Sequence, residues 1–400
     1  MSEHLYLATK NTVCAIEKAS GKIAWGAKLR RGIFKGGSSF VSLADDEMHL
    51  FAHTHGYLYC LSKSDGRVLW ENELSGLGYQ LAMLSGGVVP VSTGSGHLYL
   101  ATTNTVCGIE KASGNIAWEA ELHHGVFGSG SSFVSLVDDE THLFAHTRGY
   151  LYCLSKSDSR VVWENELSGL GYELAMLSAG VVPASIGSER MYLATKNTVC
   201  AIEKASGNIA WRTEPLRHGL FKGGSSFVSL VDDETHLFAH TRGYLYCLSK
   251  SDSRVVWENE LSGLGYEVAM LSAGVVPVST GSEHLYLATN NTVCAIEKES
   301  GKIAWGVELP HGLNFVSLVD DETHLFAHTH GYLYCLTKSD GRVLGENKLS
   351  GLGYELAMLS AGILSASTGH QTPLFAEDSK SSGGGGGGRG GGSNGGGNGG

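Results

Sequence analysis

One feature constrains this 400-residue chain more than any other: it is written four times over. HLYLAT starts at His4 and His97, returns as RMYLAT at Arg190 and again as HLYLAT at His284, with spacings of 93, 93 and 94 residues. Each unit divides again. NTVCAIEKASGKIAW (11–25) and GYLYCLSKSDGRVLW (56–70) place a Lys, a Gly and a final Trp at equal offsets, so the chain holds eight modules. A unit of this size cannot bury its apolar face alone and must stack against its neighbours.

Each module shows four short runs rich in β-branched and aromatic residues, such as FVSLADD (40–46), HLFAHT (49–54), LYCLSK (58–63) and RVLWENEL (67–74). Asp, Gly and Ser turns separate them, and Ser20-Gly21 and Asp65-Gly66 are hairpin-turn signals. The expected fold is all-β: a closed eight-bladed β-propeller over residues 1–372, each blade with strands A to D from centre to rim. Module one opens on its strand B. The orphan strand A is expected at ILSASTG (363–369), which matches VVPVSTG (88–94), so the C-terminal strand would complete blade one and protect its edge.

Composition narrows the function. Lys and Arg total 29 against 40 Asp and Glu, a net charge of -11, which disfavours a nucleic-acid surface. Residues 373–400 form an expected disordered tail, Gly-rich from 383 onward, whose single Arg389 does not make a repeated RNA-binding pattern. No apolar run is long enough for a membrane helix. Met1-Ser2-Glu3-His4 leads straight into the first strand without a signal-peptide pattern. The expectation is a cytoplasmic monomer with no membrane contact and reduced thiols.

CAIEKASGKIAW (14–25) resembles the pyrroloquinoline-quinone (PQQ) repeat through Ala15, Ile16, Glu17, Ser20, Gly21, Lys22 and Trp25, and related runs extend over residues 4–370. The chain is thus similar to the quinoprotein alcohol dehydrogenase-like propeller superfamily. The resemblance implies that Trp25, Trp70, Trp118, Trp163, Trp211, Trp257 and Trp305 dock each blade on the next, with the eighth dock lost at Gly345. Enzymes of the superfamily carry a vicinal Cys pair near the quinone, and Glu, Asn and Asp around a Ca²⁺. This chain has eight Cys, one per blade, and no Cys-Cys pair. The superfamily also holds non-catalytic scaffolds. No cofactor is therefore expected, with PQQ and Ca²⁺ kept for the rival reading.

Three repeated sets remain as candidates. His53, His146, His240 and His328 close strand B in alternate modules, followed two residues later by His55, Arg148, Arg242 and His330, where the other modules have Ala-Thr. An open ring of imidazoles would titrate near 6.5 and bind anions or polar partners; the alternative is a buried, hydrogen-bonded His. SGLGY places Tyr79, Tyr172, Tyr266 and Tyr354 in the D–A loops of the same rim. Acidic A–B turns such as Asp45-Asp46-Glu47 are expected to be solvated, with weak Ca²⁺ binding the alternative. The expected function is a non-catalytic scaffold holding a protein, peptide or glycan on the B–C/D–A rim. A PQQ-dependent oxidoreductase and a multivalent lectin are the rivals. Repetition of identical residues favours binding, because catalysis needs unlike groups at one spot.

Overall fold

The computed structural model describes residues 3–9, 11–29, 41–74, 82–85, 96–102, 104–122, 134–139, 141–168, 176–178, 189–195, 197–216, 228–262, 264, 270–272, 283–311, 315–350 and 358–360. These residues form 32 strands in eight four-stranded antiparallel sheets. The second sheet is representative: β4 (Ser42–Asp45), β5 (His49–Thr54), β6 (Tyr57–Ser62) and β7 (Val68–Glu73), in spatial order A, B, C, D. The architecture is the eight-bladed β-propeller expected from the repeat.

Burial follows position in the sheet. Strands B and C are buried on both faces because a neighbouring sheet covers each side, whereas β7 alternates exposed and half-buried residues. The C–D hairpins close as expected. Gly66 N–H donates to the Ser62 carbonyl at 2.9 Å, with Gly66 at φ +70° and a bulge between Cys60 and Leu61.

The first sheet is built from both ends of the chain. β1 (His4–Thr9), β2 (Thr12–Glu17) and β3 (Ile23–Lys28) take β32 (Met358–Ser360) as their inner strand. Leu7 faces Leu359 in this ladder. The expected inner strand at 363–369 is thereby corrected, and the equivalent run at 88–94 likewise: β8 (Ala82–Ser85) takes that place in the third sheet. The reason is packing. Leu84 enters the buried cluster with Leu98 and Leu100, and Leu359 packs on the equivalent cluster with Leu5 and Leu7. Residues 88–94 and 363–369, like the Gly-rich tail, lie outside the described residues.

Candidate functional site

The sheets meet at two alternating kinds of joint. Ala8 of β1 and Ala52 of β5 share one cluster with Tyr6 and Tyr59, and Ala101 with Ala145, Ala194 with Ala239, and Ala288 with Ala327 repeat the pairing. At the other joints Leu stands in place of the first Ala. Leu100 of β9 (His97–Thr102) packs with Phe51. His53 lies two residues beyond Phe51 and therefore on the same face of β5. Leu-Ala in one module and Ala-His in the next thus exchange volume between successive joints.

This explains the histidines and corrects the open ring. His53, His146, His240 and His328 are each only 2% exposed. Burial pushes each imidazole down to about 4, far from the free value, with His55 adding a smaller repulsion at His53. Nε2 of His146, His240 and His328 has no hydrogen-bond partner among the described residues. These are neutral core side chains and do not face a ligand.

Their sequence neighbours differ. His55, Arg148, Arg242 and His330 occupy the B–C turns, half-buried, at φ of 47 to 50°, each followed by a Gly at φ 75 to 80°. Two successive left-handed residues make a tight hairpin turn, in which Asn-Gly is the favoured pair. The other modules put Asn in the place of that Gly, and at Asn11 and Asn197 the side chain is spent internally. Asn11 Oδ1 accepts from Thr54 Oγ1 at 3.0 Å and Asn197 Oδ1 from Thr241 Oγ1 at 2.8 Å, both across a joint. Tyr79, Tyr172, Tyr266 and Tyr354 lie outside the described residues.

At the opposite end of the sheets, the acidic turns are not simply solvated. Lys63 Nζ sits 2.6 Å from Asp45 Oδ2, touches the Asp46 carbonyl and lies 5.3 Å from the ring centroid of Tyr6 in the preceding sheet. Lys111 Nζ reaches back to Asp46 Oδ2 at 3.6 Å and lies over Phe51. The pattern recurs with Lys156 and Lys204, Lys250 and Lys298, and Lys338 and Lys18. Burial alone would raise the Asp46 carboxyl, but the backbone N–H groups of Met48 and His49 together with Lys111 outweigh it and hold it low. Burial also draws the Lys111 ammonium down despite Asp46 beside it, so the pair contributes less than its geometry suggests. These lysines were visible in the sequence as a constant offset; their partners were not. Lysine thus pairs with the Asp carboxylates of these turns.

Among the described residues, six of the seven tryptophans hydrogen-bond to the next sheet. Trp25, Trp70, Trp163, Trp211, Trp257 and Trp305 donate Nε1–H to the carbonyls of Lys63, Lys111, Lys204, Lys250, Lys298 and Lys338 in the following sheet, at 2.7 to 3.1 Å. Trp118 lies against Gly108 of its own sheet. A surface depression of about 540 Å³ beside Arg190, Glu234, His236 and Arg254 lies at this lysine-rich end, away from the B–C turns.

The cysteines lie one per sheet in strand C, and burial raises their thiols, that of Cys14 to about 11. Among the described residues no three His, Cys, Asp or Glu converge on one point.

Eight sheets, PQQ-like repeats and Trp docks define a PQQ-repeat β-propeller. The chain belongs to the family described as outer membrane protein assembly factor BamB, whose model matches residues 9–180 and 195–359. Among similar curated proteins is the outer membrane protein assembly factor BamB of Moranella endobia (strain PCIT), 21% identical over 317 residues, 75% of each chain. Among solved structures, BamB from Moraxella catarrhalis superposes with a TM-score of 0.56 at 15% identity, covering 82% of this chain and 91% of that one. Quinohemoprotein alcohol dehydrogenase from Comamonas testosteroni gives 0.52 at 11% identity, covering 77% and 66%. These relatives overturn the cytoplasmic location expected from the N-terminal residues: the family is one of outer membrane assembly factors.

Proposed function

We propose that this chain is a non-catalytic propeller that holds a protein partner during outer membrane protein assembly, and that it does so through the rim formed by its B–C turns. The family it belongs to supports the general role. One observation carries the choice of rim. Four equivalent turns hold His55, Arg148, Arg242 and His330 in left-handed conformation, each ahead of a Gly whose place Asn11, Asn197 and Asn291 take in other modules. A bulky residue at positive φ costs stability, and such outliers cluster where a side chain is needed for contact. Two guanidinium and two imidazole groups on one end of the ring would engage acidic or carbonyl-rich segments of a polypeptide.

The test is a binding titration with a urea-unfolded outer-membrane β-barrel protein diluted into buffer. Wild type should bind saturably. Replacing His55, Arg148, Arg242 and His330 together with Asn should weaken binding about tenfold or more, while thermal stability holds or rises. Undiminished binding by the folded variant would refute this rim.

A further inference from the structure

The joint between the eighth and first sheets keeps every wall of a tryptophan dock and lacks the tryptophan. In five other joints the ring lies against a turn glycine of the following sheet. A Cβ built on Gly66, Gly114, Gly207, Gly301 or Gly341 would fall 2.3 to 2.5 Å from the indole. The equivalent Gly21 has only Asn347 Cβ within range, at 3.7 Å, and a Cβ on Gly345 would meet nothing within 4 Å.

The surrounding contacts are nevertheless formed. Asn347 Nδ2 donates to the Gly21 carbonyl, as Asn72 does to Gly114 at 2.6 Å. Lys18 Nζ pairs with Asp321 at 3.0 Å and lies 5.6 Å from the Phe326 centroid. The Lys18 carbonyl, whose counterparts accept an indole N–H, receives no hydrogen bond among the described residues. Cys335, paired with Gly345 in the ladder, is half-buried where the other seven Cys are buried. The joint has therefore not collapsed around the glycine.

We propose that this slot is a binding site for a tryptophan side chain presented by a partner polypeptide, seated between Gly345 and Gly21 with its N–H on the Lys18 carbonyl. The argument for this occupant is internal: the same walls are filled by an indole, with the same hydrogen bond, at joint after joint of this molecule. Tryptophan buries more area than any other side chain and is the residue most enriched among interface hot spots. The site is at the opposite end of the sheets from the B–C turns, so it stands or falls separately from the rim reading above.

The test titrates the full chain with the peptide acetyl-Gly-Trp-Gly-amide, followed by calorimetry, with the Leu analogue and free 3-methylindole in parallel. A second readout is the rate of maleimide labelling at Cys335, located by mass spectrometry. Wild type should bind the Trp peptide one-to-one, about tenfold more tightly than the Leu peptide, and the peptide should slow Cys335 labelling. Gly345→Trp should fill the slot, abolish binding and protect Cys335 without peptide. Gly345→Val, which only has to place a small side chain in open space, provides the same block if the Trp variant does not fold. Equal binding by wild type and a folded slot-blocked variant would overturn the proposal. Free 3-methylindole binding as tightly as the peptide would overturn the polypeptide source in favour of a small indole ligand.

Discussion

Trp25 lies directly over Gly66 of the next sheet, so close that a Cβ on Gly66 would stand 2.3 Å from the indole Cε3. Gly66 is also left-handed, at φ +70°. Gly21 shares that backbone conformation, at φ +67°, without a ring above it. The two positions separate backbone cost from steric cost. Gly21→Ala should destabilise by about 1–2 kcal/mol from the left-handed conformation alone. Gly66→Ala should cost about 1–3 kcal/mol more, because the indole must move. Urea unfolding of both variants measures the difference.

Removing a dock from the other side should be more severe. Trp163 bonds the Lys204 carbonyl at 2.7 Å and packs on Phe144 with ring centroids 6.1 Å apart. Trp163→Ala should cost about 3–5 kcal/mol, as other large-to-small aromatic changes do. A smaller loss by thermal melting would mean that neighbouring sheets close over the gap.

The lysine contacts predict an asymmetric response. Lys156 Nζ is 2.6 Å from Asp138 Oδ2, and the Asp138 side chain is 1% exposed. Lys156→Met leaves that carboxylate buried without its cation and should cost about 3–5 kcal/mol. Adding Asp138→Leu should recover most of the loss, since an apolar pair does not require a compensating charge. Chemical denaturation of the single and double variants tests both statements.

Acidification should weaken the fold from near neutrality downward. An unfolded histidine takes up a proton near 6.5, whereas His53, His146, His240 and His328 resist until about 4. Between those values the unfolded chain binds more protons, so stability falls with pH by up to about 1.4 kcal/mol per unit for each such residue. Asp46, Asp139, Asp233 and Asp321 have lowered values, and their contribution is lost only below the usual carboxylate range. His146→Leu should hold stability at pH 7.5 and gain on wild type at pH 5. Melts at the two pH values decide it; an unchanged difference would mean that His146 is not the proton-sensitive group.

The repeat makes the number of sheets, strands B, C and D, and the glycine turns legible in the sequence. Strand A of the odd modules is not. Met358-Leu359-Ser360 is too short to stand out beside the β-branched run that follows, and only the ladder to β1 distinguishes it. Burial of His53 was hidden for a related reason. HLFAHT looks like a strand ending in an exposed turn, and its burial depends on the exchange of Leu7-Ala8 for Ala52-His53 between facing sheets. Lys63 and Lys111 recur at one offset, but a repeated lysine looks like surface until the facing carboxylate and ring are known. His55 and Arg148 fall between two strand-like runs, but nothing in their residue types announces a left-handed backbone.

The pairing of β1 with β32 also sets a schedule for synthesis. About 350 residues separate the two strands. A ribosome adding about 5–20 residues per second delivers β32 on the order of 20–70 s after β1. Throughout that interval the inner edge of β1 has no partner, and Leu5 and Leu7 lack the Phe326 and Leu333 that cover them in the finished molecule. A strand made early is thus among the last to be protected, and a chaperone that shields it would have a large effect on residues 4–28.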